Sequence, residues 1–166
     1  MTMSEWGVIV TERTDLALAT VIARAGAAAS LAARLKERRG MNLPIGPGTW
    51  LATQEGATTG WLSALRTELG DLAAISDQSD GLAVLRLTGP AVRDELAKLV
   101  FIDLHPAAFD VGHVACTVAA HVGVTLWRLQ DGANGATFEL AVPRSYSASF
   151  RHALSVSAAE FGLREG

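Results

Sequence analysis

With only one cysteine, Cys116, the chain of 166 residues can form no internal disulfide and no metal site built from several thiolates. A lone thiol also suits a reducing compartment. Charge is scarce as well: Asp, Glu, Lys and Arg make up 19% of the residues, against roughly 25% in an average soluble domain. Less charge is then left to cover the outside, so part of the surface is a candidate for cover by another protein. The 29 alanines supply the competing explanation, because alanine raises the apolar share without demanding burial. A basic face is lacking too. The net charge of −3 and pI near 5.8 argue against a nucleic-acid or anionic-membrane binder. No 18-residue apolar run and no basic-then-apolar N-terminus is present, which predicts a soluble, cytoplasmic protein.

The length suits one domain or two tightly fused halves, and it is enough to bury a sizeable core. In the first half, "WGVIV" places Trp6, Val8 and Val10 on one face of a strand, and "LALATVIA" offers Leu16, Leu18 and Ile22 in the same alternation. The period then changes. Over residues 26–39 a helix is predicted with Ala28, Leu31, Ala32 and Leu35 on one face, stopped by Gly40. Its basic end, "RLKERR" at residues 34–39, complements the helix dipole as a solvated cap. "NLPIGPG" reads as a turn-rich connector, "TWLAT" as a short strand, and residues 58–69 as a helix burying Trp61, Leu62, Leu65 and Leu69 before Gly70 ends it.

The second half opens on "GLAVLRLTG", apolar on both faces as in a central strand. Pro90 fits a first helical position, and Val92, Leu96, Leu99 and Val100 then point inward. After the connector "FIDLHPAAFDVG", the sets Val114, Cys116, Val118 and Val122, Val124, Leu126 alternate as two strands joined near Ala120. "DGANG" signals a hairpin leading to "TFELAV", with Phe138, Leu140 and Val142 on one face. A last helix starts near Ser145 or Ser147 and buries Phe150, Ala153, Leu154, Ala158 and Phe161. Only the first four and last few residues read as disordered. The fold class is α+β, with two fused halves of antiparallel sheet, about 1–78 and 79–166, each with covering helices and a similar element order.

Chemistry is hard to find in this pattern. The Thr88-Gly89-Pro90 corner could present backbone N–H groups to an anion, but Pro90 removes one donor and neither Gly-x-Gly-x-x-Gly nor a Walker-type lysine accompanies it. The bland reading, a sharp corner that starts a helix, accounts for every residue. His105, His113, His121 and His152 show no metal-ligand spacing; His113 and His121 are the one pair that adjacent strands could bring together. No Gly-x-Ser-x-Gly elbow occurs, and Ser145, Ser147 and Ser149 occupy helix-capping positions. Cys116 reads as a small buried hydrophobe, and Asp94 and Glu95 as a solvated helix face. No catalytic, cofactor-binding or metal residue is assigned. Tryptophan is a frequent anchor at interfaces, and of four, Trp6 and Trp50 lie in the less regular context that makes them candidate partner contacts.

The runs "LTGPAVRDELAKLVFIDLHPAAFDVGHVACTVAAHVGVTLWRL" and "FELAVPRSYSASFRHAL", with "VTERTDLALATVIARAG", "NLPIGPG" and "GTWLA" earlier, resemble the gamma subunit family of heterotetrameric sarcosine oxidase across nearly the whole chain. The resemblance implies the fold of the aminomethyltransferase folate-binding domain and no catalytic residues of its own. It also implies alpha, beta and delta partner chains, with FAD, FMN, NAD and tetrahydrofolate held by the partners. The assembly would oxidise sarcosine with O2 and tetrahydrofolate to glycine, hydrogen peroxide and 5,10-methylenetetrahydrofolate. Residues 44–50 depart from the family, running straight through where its members carry a longer stretch, so a turn or short strand is expected to be missing there. A rival reading is a free-standing folate-binding or one-carbon-transfer domain, which should stack a pterin on aromatics; aromatics are only 6% of this chain.

Overall fold

The computed structural model describes residues 6–56 and 59–166. The first four residues, expected to be disordered, and the predicted helix start at residue 58 lie outside that range. The chain divides into two compact units, one of residues 14–82 and the other made by the described residues up to Arg13 together with residues 83–166.

In the unit of residues 14–82, four strands lie in the order β3-β4-β2-β5, with β2 at Leu16–Ala23, β3 at Asn42–Gly46, β4 at Thr49–Glu55 and β5 at Ala73–Asp77. All three pairings are antiparallel. Helices α1 (Ala28–Glu37) and α2 (Trp61–Leu69) cover one face. Leu31 and Leu35 of α1, Leu65 and Leu69 of α2, and Ala19, Val21, Ala52 and Ala73 of the sheet form their common core. Each fully buried leucine contributes about 1.5–3 kcal/mol relative to exposure. Strand β2 corrects the expected face: Ala19 and Val21 meet the helices, whereas Ile22, read as inward, is exposed. Leu18, Leu43 and Leu51 are also buried but belong to the opposite face.

The first five residues of "NLPIGPG", read as a connector with a strand missing nearby, form strand β3. It is an edge strand, which is where Pro44 is tolerated, and the register shifts between Pro44 and Gly46. Gly40 does not stop α1, which ends at Glu37 with an extended C-cap at Arg38. Its role is close approach: at φ 87°, a Cβ there would fall 2.3 Å from the Thr53 carbonyl oxygen. Gly70 does cap α2, donating its N–H to the Arg66 carbonyl. The basic end of α1 is less solvated than expected. Arg38 lies over the Trp61 ring at 5.6 Å and hydrogen-bonds Asn42.

The other unit carries a six-stranded sheet in the order β10-β1-β6-β9-β8-β7. Its strands are β1 (Val8–Glu12), β6 (Leu82–Thr88), β7 (Val114–Ala119), β8 (Val122–Gly132), β9 (Gly135–Pro143) and β10 (Leu163–Glu165). Strands β1 and β6, β7 and β8, and β8 and β9 pair antiparallel, while β10 lies parallel to β1. Helices α3 (Val92–Leu99) and α4 (Ser147–Ala158) cover one face. Val92 and Leu96 of α3 and Phe150, Leu154 and Ala158 of α4 pack there against Val8, Val10, Leu85, Leu87, Phe138 and Leu140. The last residues, expected to be disordered, form β10.

Two turns follow the expected positions with unexpected residues or register. Strands β7 and β8 are joined at Ala120 and His121, both at positive φ, as a two-residue hairpin turn of the primed kind requires. "DGANG" closes β8 on β9 with Gly132 opposite Gly135. The alternation of Val114, Cys116 and Val118 is real, but that set faces outward; Ala115 and Ala119 pack on the core instead. Both units share an order of elements: strand, helix, strands, helix, strand. In both, the strand just before the first helix lies beside the last strand of the hairpin set, as β2 beside β4 and β6 beside β9.

Candidate functional site

The Thr88-Gly89-Pro90 corner spends its backbone groups on the protein. The Ala91 N–H donates to the Gly7 carbonyl at 2.9 Å and the Val92 N–H to the Gly89 carbonyl at 3.3 Å. Pro90 stands two residues before α3, whose N-cap is Ala91, so it shapes the turn and is not the first helical residue. Gly89 sits at φ 134°, and a Cβ on it would lie 2.3 Å from the Gly7 carbonyl oxygen. The corner turns the chain against β1.

Two carboxylates that the sequence hides are buried here. Glu139 on β9, 2% exposed, accepts from Arg13 Nη1 at 2.5 Å and from Arg86 Nε at 2.9 Å on one oxygen, and from Trp127 Nε1 at 3.0 Å on the other. The register sets Trp127 directly opposite Glu139. A charge-assisted cluster of this kind fixes β1, β6, β8 and β9 side by side. Arg128, also buried, stacks at 5.0 Å over Phe138 and donates to the Thr137 carbonyl and to Asp131.

Glu95 is the second. It was expected on a solvated face, as Asp94 is, but it lies three residues after Val92 and therefore on the buried stripe of α3. It is fully buried, its oxygens have no hydrogen-bond partner, and its nearest cation is Lys98 Nζ at 3.6 Å. Lys98 is itself engaged by Glu160 and by the Ser157 carbonyl. Burial pushes the Glu95 carboxyl above the usual range, with the nearby Ser157 hydroxyl and then Lys98 partly offsetting it. Its contribution to stability is fullest below the ordinary glutamate pKa and is lost as pH rises through the raised folded value. Glu95→Gln should therefore stabilise the chain at neutral pH by about 1 kcal/mol, a gain that fades on acidification to about pH 4. Denaturation midpoints measured across that range check it, and an unchanged midpoint at neutral pH would contradict the burial argument.

The remaining candidates do not converge. His113 precedes β7 and His121 lies in the turn after it, so six strand residues, roughly 20 Å at about 3.3 Å each, separate them. Among the described residues no three metal-ligating side chains cluster. The serines do not cap α4: its N-cap is Tyr146, without a side-chain cap, and Ser149 donates to the Tyr146 carbonyl. Cys116, expected to be buried, is exposed because β7 is an edge strand and Cys116 points away from the core; its sulfur lies 3.7 Å from Thr125 Oγ1. A cavity of about 510 Å³ in the unit of residues 14–82 is lined by Asp15, Asp77, Thr59, Ser79 and Trp61. Hydrogen bonds from Ser79 hold the Asp77 carboxyl below the usual range, and the Ser79 hydroxyl also meets the Leu18 backbone. These contacts brace the chain.

The surface is more telling. Trp6 is 36% exposed. Trp50, on β4, is half-buried against the helix-side core and pairs across to Val21 and Pro44. Sequence reasoning missed Phe101, which is 90% exposed just after α3. Val100 bridges antiparallel to Ala119, which places Phe101 beside Val118, itself 45% exposed. No helix among the described residues is long and apolar enough to cross a membrane.

Comparison with known proteins matches this arrangement to one family. The model of the "Sarcosine oxidase, gamma subunit family" matches residues 44–160. Sarcosine oxidase subunit gamma of Corynebacterium sp. (strain P-1) is 34% identical over 113 residues, covering 58% of this chain and 56% of that protein. The protein of the same name from Arthrobacter sp. is 35% identical over 117 residues, covering 60% and 56%. The chain thus matches little more than half the length of these curated relatives. Among solved structures, a chain of heterotetrameric sarcosine oxidase from Corynebacterium sp. U-96, in complex with pyrrole 2-carboxylate, superposes with a TM-score of 0.80 at 26% identity, covering 96% of this chain and 88% of that one. Aminomethyltransferase T of the glycine cleavage system from Bartonella henselae shares the fold, with a TM-score of 0.69 at 10% identity over 96% of this chain and 48% of that one. The α+β class expected from the residues and the aminomethyltransferase-like fold implied by the resemblance are both present, and the chain belongs to the sarcosine oxidase gamma subunit family.

Proposed function

We propose that this chain is the gamma-type subunit of a heterotetrameric sarcosine oxidase and that it docks on flavin-bearing alpha and beta chains and stabilises them, without catalytic residues of its own. The observation that carries the reading is the likeness over 96% of the chain, at a TM-score of 0.80, to a chain of a heterotetrameric sarcosine oxidase. In this reading the assembly converts sarcosine, O2 and tetrahydrofolate to glycine, hydrogen peroxide and 5,10-methylenetetrahydrofolate in the cytoplasm. FAD, FMN, NAD and tetrahydrofolate sit in the larger alpha and beta chains, and a delta chain is the further partner. The buried Glu139 and Arg128 support it, since with Arg13 and Arg86 they are engaged in tying strands together. Trp6 and Trp50 are proposed contacts with the large chains, Trp6 the more accessible of the two.

Expressing the alpha–beta pair with and without this chain tests the reading. The melting temperature of the pair should rise by several degrees in its presence, as mass action requires of any component that binds only the folded state. Oxidase activity should persist longer at elevated temperature. Equal melting temperature and equal activity in both preparations would refute it.

A further inference from the structure

We infer that Glu95, Lys98 and Glu160 form a pH-sensitive latch that holds β10 on the six-stranded sheet and loosens it as the solution becomes more alkaline. All of the groups involved belong to this chain, so the test is independent of the subunit reading above.

Glu95 is fully buried and its oxygens make no hydrogen bond, so it takes no part in tying the strands together. Of the elements packed on α3, strands β1 and β9 present the apolar Val8, Val10, Phe138 and Leu140. The polar groups that act on Glu95 are Lys98, one turn on along α3, Ser157 in the last turn of α4, and Glu160 in the short turn Ala159–Phe161 that follows. Lys98 lies 3.6 Å from Glu95 but spends its donors elsewhere. It donates to the Ser157 carbonyl and the Glu160 carboxylate, and its ammonium sits 5.0 Å over the Phe161 ring. One side chain of α3 thus grips three of the five residues 157–161, from which the chain passes through Gly162 into β10.

Strand β10 itself is short. It pairs with β1 through Leu163, Arg164 and Glu165, and the Arg151–Glu165 contact beside it is exposed, a kind of ion pair that contributes little. Three backbone bonds report whether it is seated: Gly7 N–H to the Phe161 carbonyl at 2.9 Å, Val8 N–H to the Gly162 carbonyl at 3.1 Å, and Gly166 N–H to the Val10 carbonyl at 2.9 Å.

A neutral Glu95 leaves Lys98 free to serve Glu160. An ionised Glu95 is a buried charge whose nearest cation is committed to a second carboxylate, and that carboxylate repels it. An unpaired charge is far worse placed when buried than when exposed, and Glu160 is largely exposed. Ionisation therefore favours states in which the Lys98 side chain and the end of α4 lift away and admit water. Because burial holds the carboxyl above its usual range, β10 is held most firmly below the ordinary glutamate pKa of about 4.3. The hold weakens as pH rises through the folded value. Once β10 lifts, β1 becomes an edge of the sheet.

Amide exchange in the full chain, compared between wild type and Glu95→Gln at each pH, tests this, since the comparison cancels the pH dependence of exchange itself. The Gly7, Val8 and Gly166 amides should exchange faster than those of Leu126 and Leu140 on the central strands, the mark of a local opening. The ratio of wild-type to Glu95→Gln rates at those three amides should rise at least about threefold from about pH 4 to about pH 8. A smaller rise, or exchange no faster than at Leu126 and Leu140, would overturn the inference. Lys98→Met removes the grip and keeps the carboxyl, so at about pH 4, where Glu95 is neutral, it should speed exchange at the three amides at least about threefold. Unchanged rates there would overturn it too, as would a Glu95 carboxyl that titrates by carbon-13 NMR at the ordinary value of about 4.3.

Discussion

Glu139→Ala should cost this chain about 3–5 kcal/mol of stability, the range for removing one member of a buried ion cluster and leaving the other charges in place. Glu139 is an acceptor for three donors at once, two guanidiniums and the Trp127 indole N–H. Two of these cannot turn to solvent when it is lost, because Trp127 is fully buried and the Arg13 side chain is nearly so, whereas Arg86 is partly exposed. The cavity adds to the electrostatic loss. Glu139→Gln separates the contributions: its carbonyl can still accept from Trp127, but its amide faces a guanidinium, so about half the loss should remain. Denaturant unfolding followed through Trp127 fluorescence reads both variants. A loss below about 1 kcal/mol for Glu139→Ala would mean that the cluster's attraction merely offsets its own desolvation.

That cluster also marks where sequence reading stops. The helices were legible because their apolar residues recur every three or four positions, as Leu31 and Leu35, Leu65 and Leu69, and Phe150 and Leu154 do. The hairpin at "DGANG" and the cap at Gly70 were legible from turn chemistry. Alternation in "TFELAV" marked Phe138, Leu140 and Val142 correctly, but period 2 says only that Glu139 and Ala141 share the other face. It cannot say that this face is buried as well. In β7 the same ambiguity ran the other way: Val114, Cys116 and Val118 look like a core set, yet the edge position leaves them outermost. Strands β3, β5 and β10 carry too few residues for a period to show, and β10 is secured by pairing with β1 from the far end of the chain. A signal for Glu139 did exist in the sequence, namely a carboxylate enclosed by apolar residues with a tryptophan at the matching position of the preceding strand. Glu95 had one too, in its spacing of three from Val92. Phe101 had none, since a phenylalanine next to a core helix is ordinarily inside it.

Gly89→Ala should be nearly as damaging as the loss of Glu139, at about 3–5 kcal/mol, for reasons of backbone and not of charge. At φ 134° an L side chain is strained by about 1–3 kcal/mol. The added Cβ would also stand 2.3 Å from the Gly7 carbonyl oxygen and 3.0 Å from its carbon, atoms that cannot rotate away. Gly7 is pinned from behind, its N–H donating to the Phe161 carbonyl at 2.9 Å, while its carbonyl accepts from Ala91. The start of β1, the corner before α3 and the chain leading into β10 are thus stacked backbone on backbone, and displacing one displaces all three. Gly112→Ala supplies the comparison, since Gly112 has φ 86° with nothing within 4 Å of its Cβ position; it should cost only about 1 kcal/mol, the conformational part alone. If the two alanine variants unfold at the same denaturant concentration, close backbone approach is not what fixes glycine at the corner. A wide gap, with accelerated amide exchange at Val8 and Ala91 in Gly89→Ala only, would place the damage at the contact between the corner and β1. The residues that first suggested an anion cradle would then be seen to act through the space they leave for the neighbouring chain.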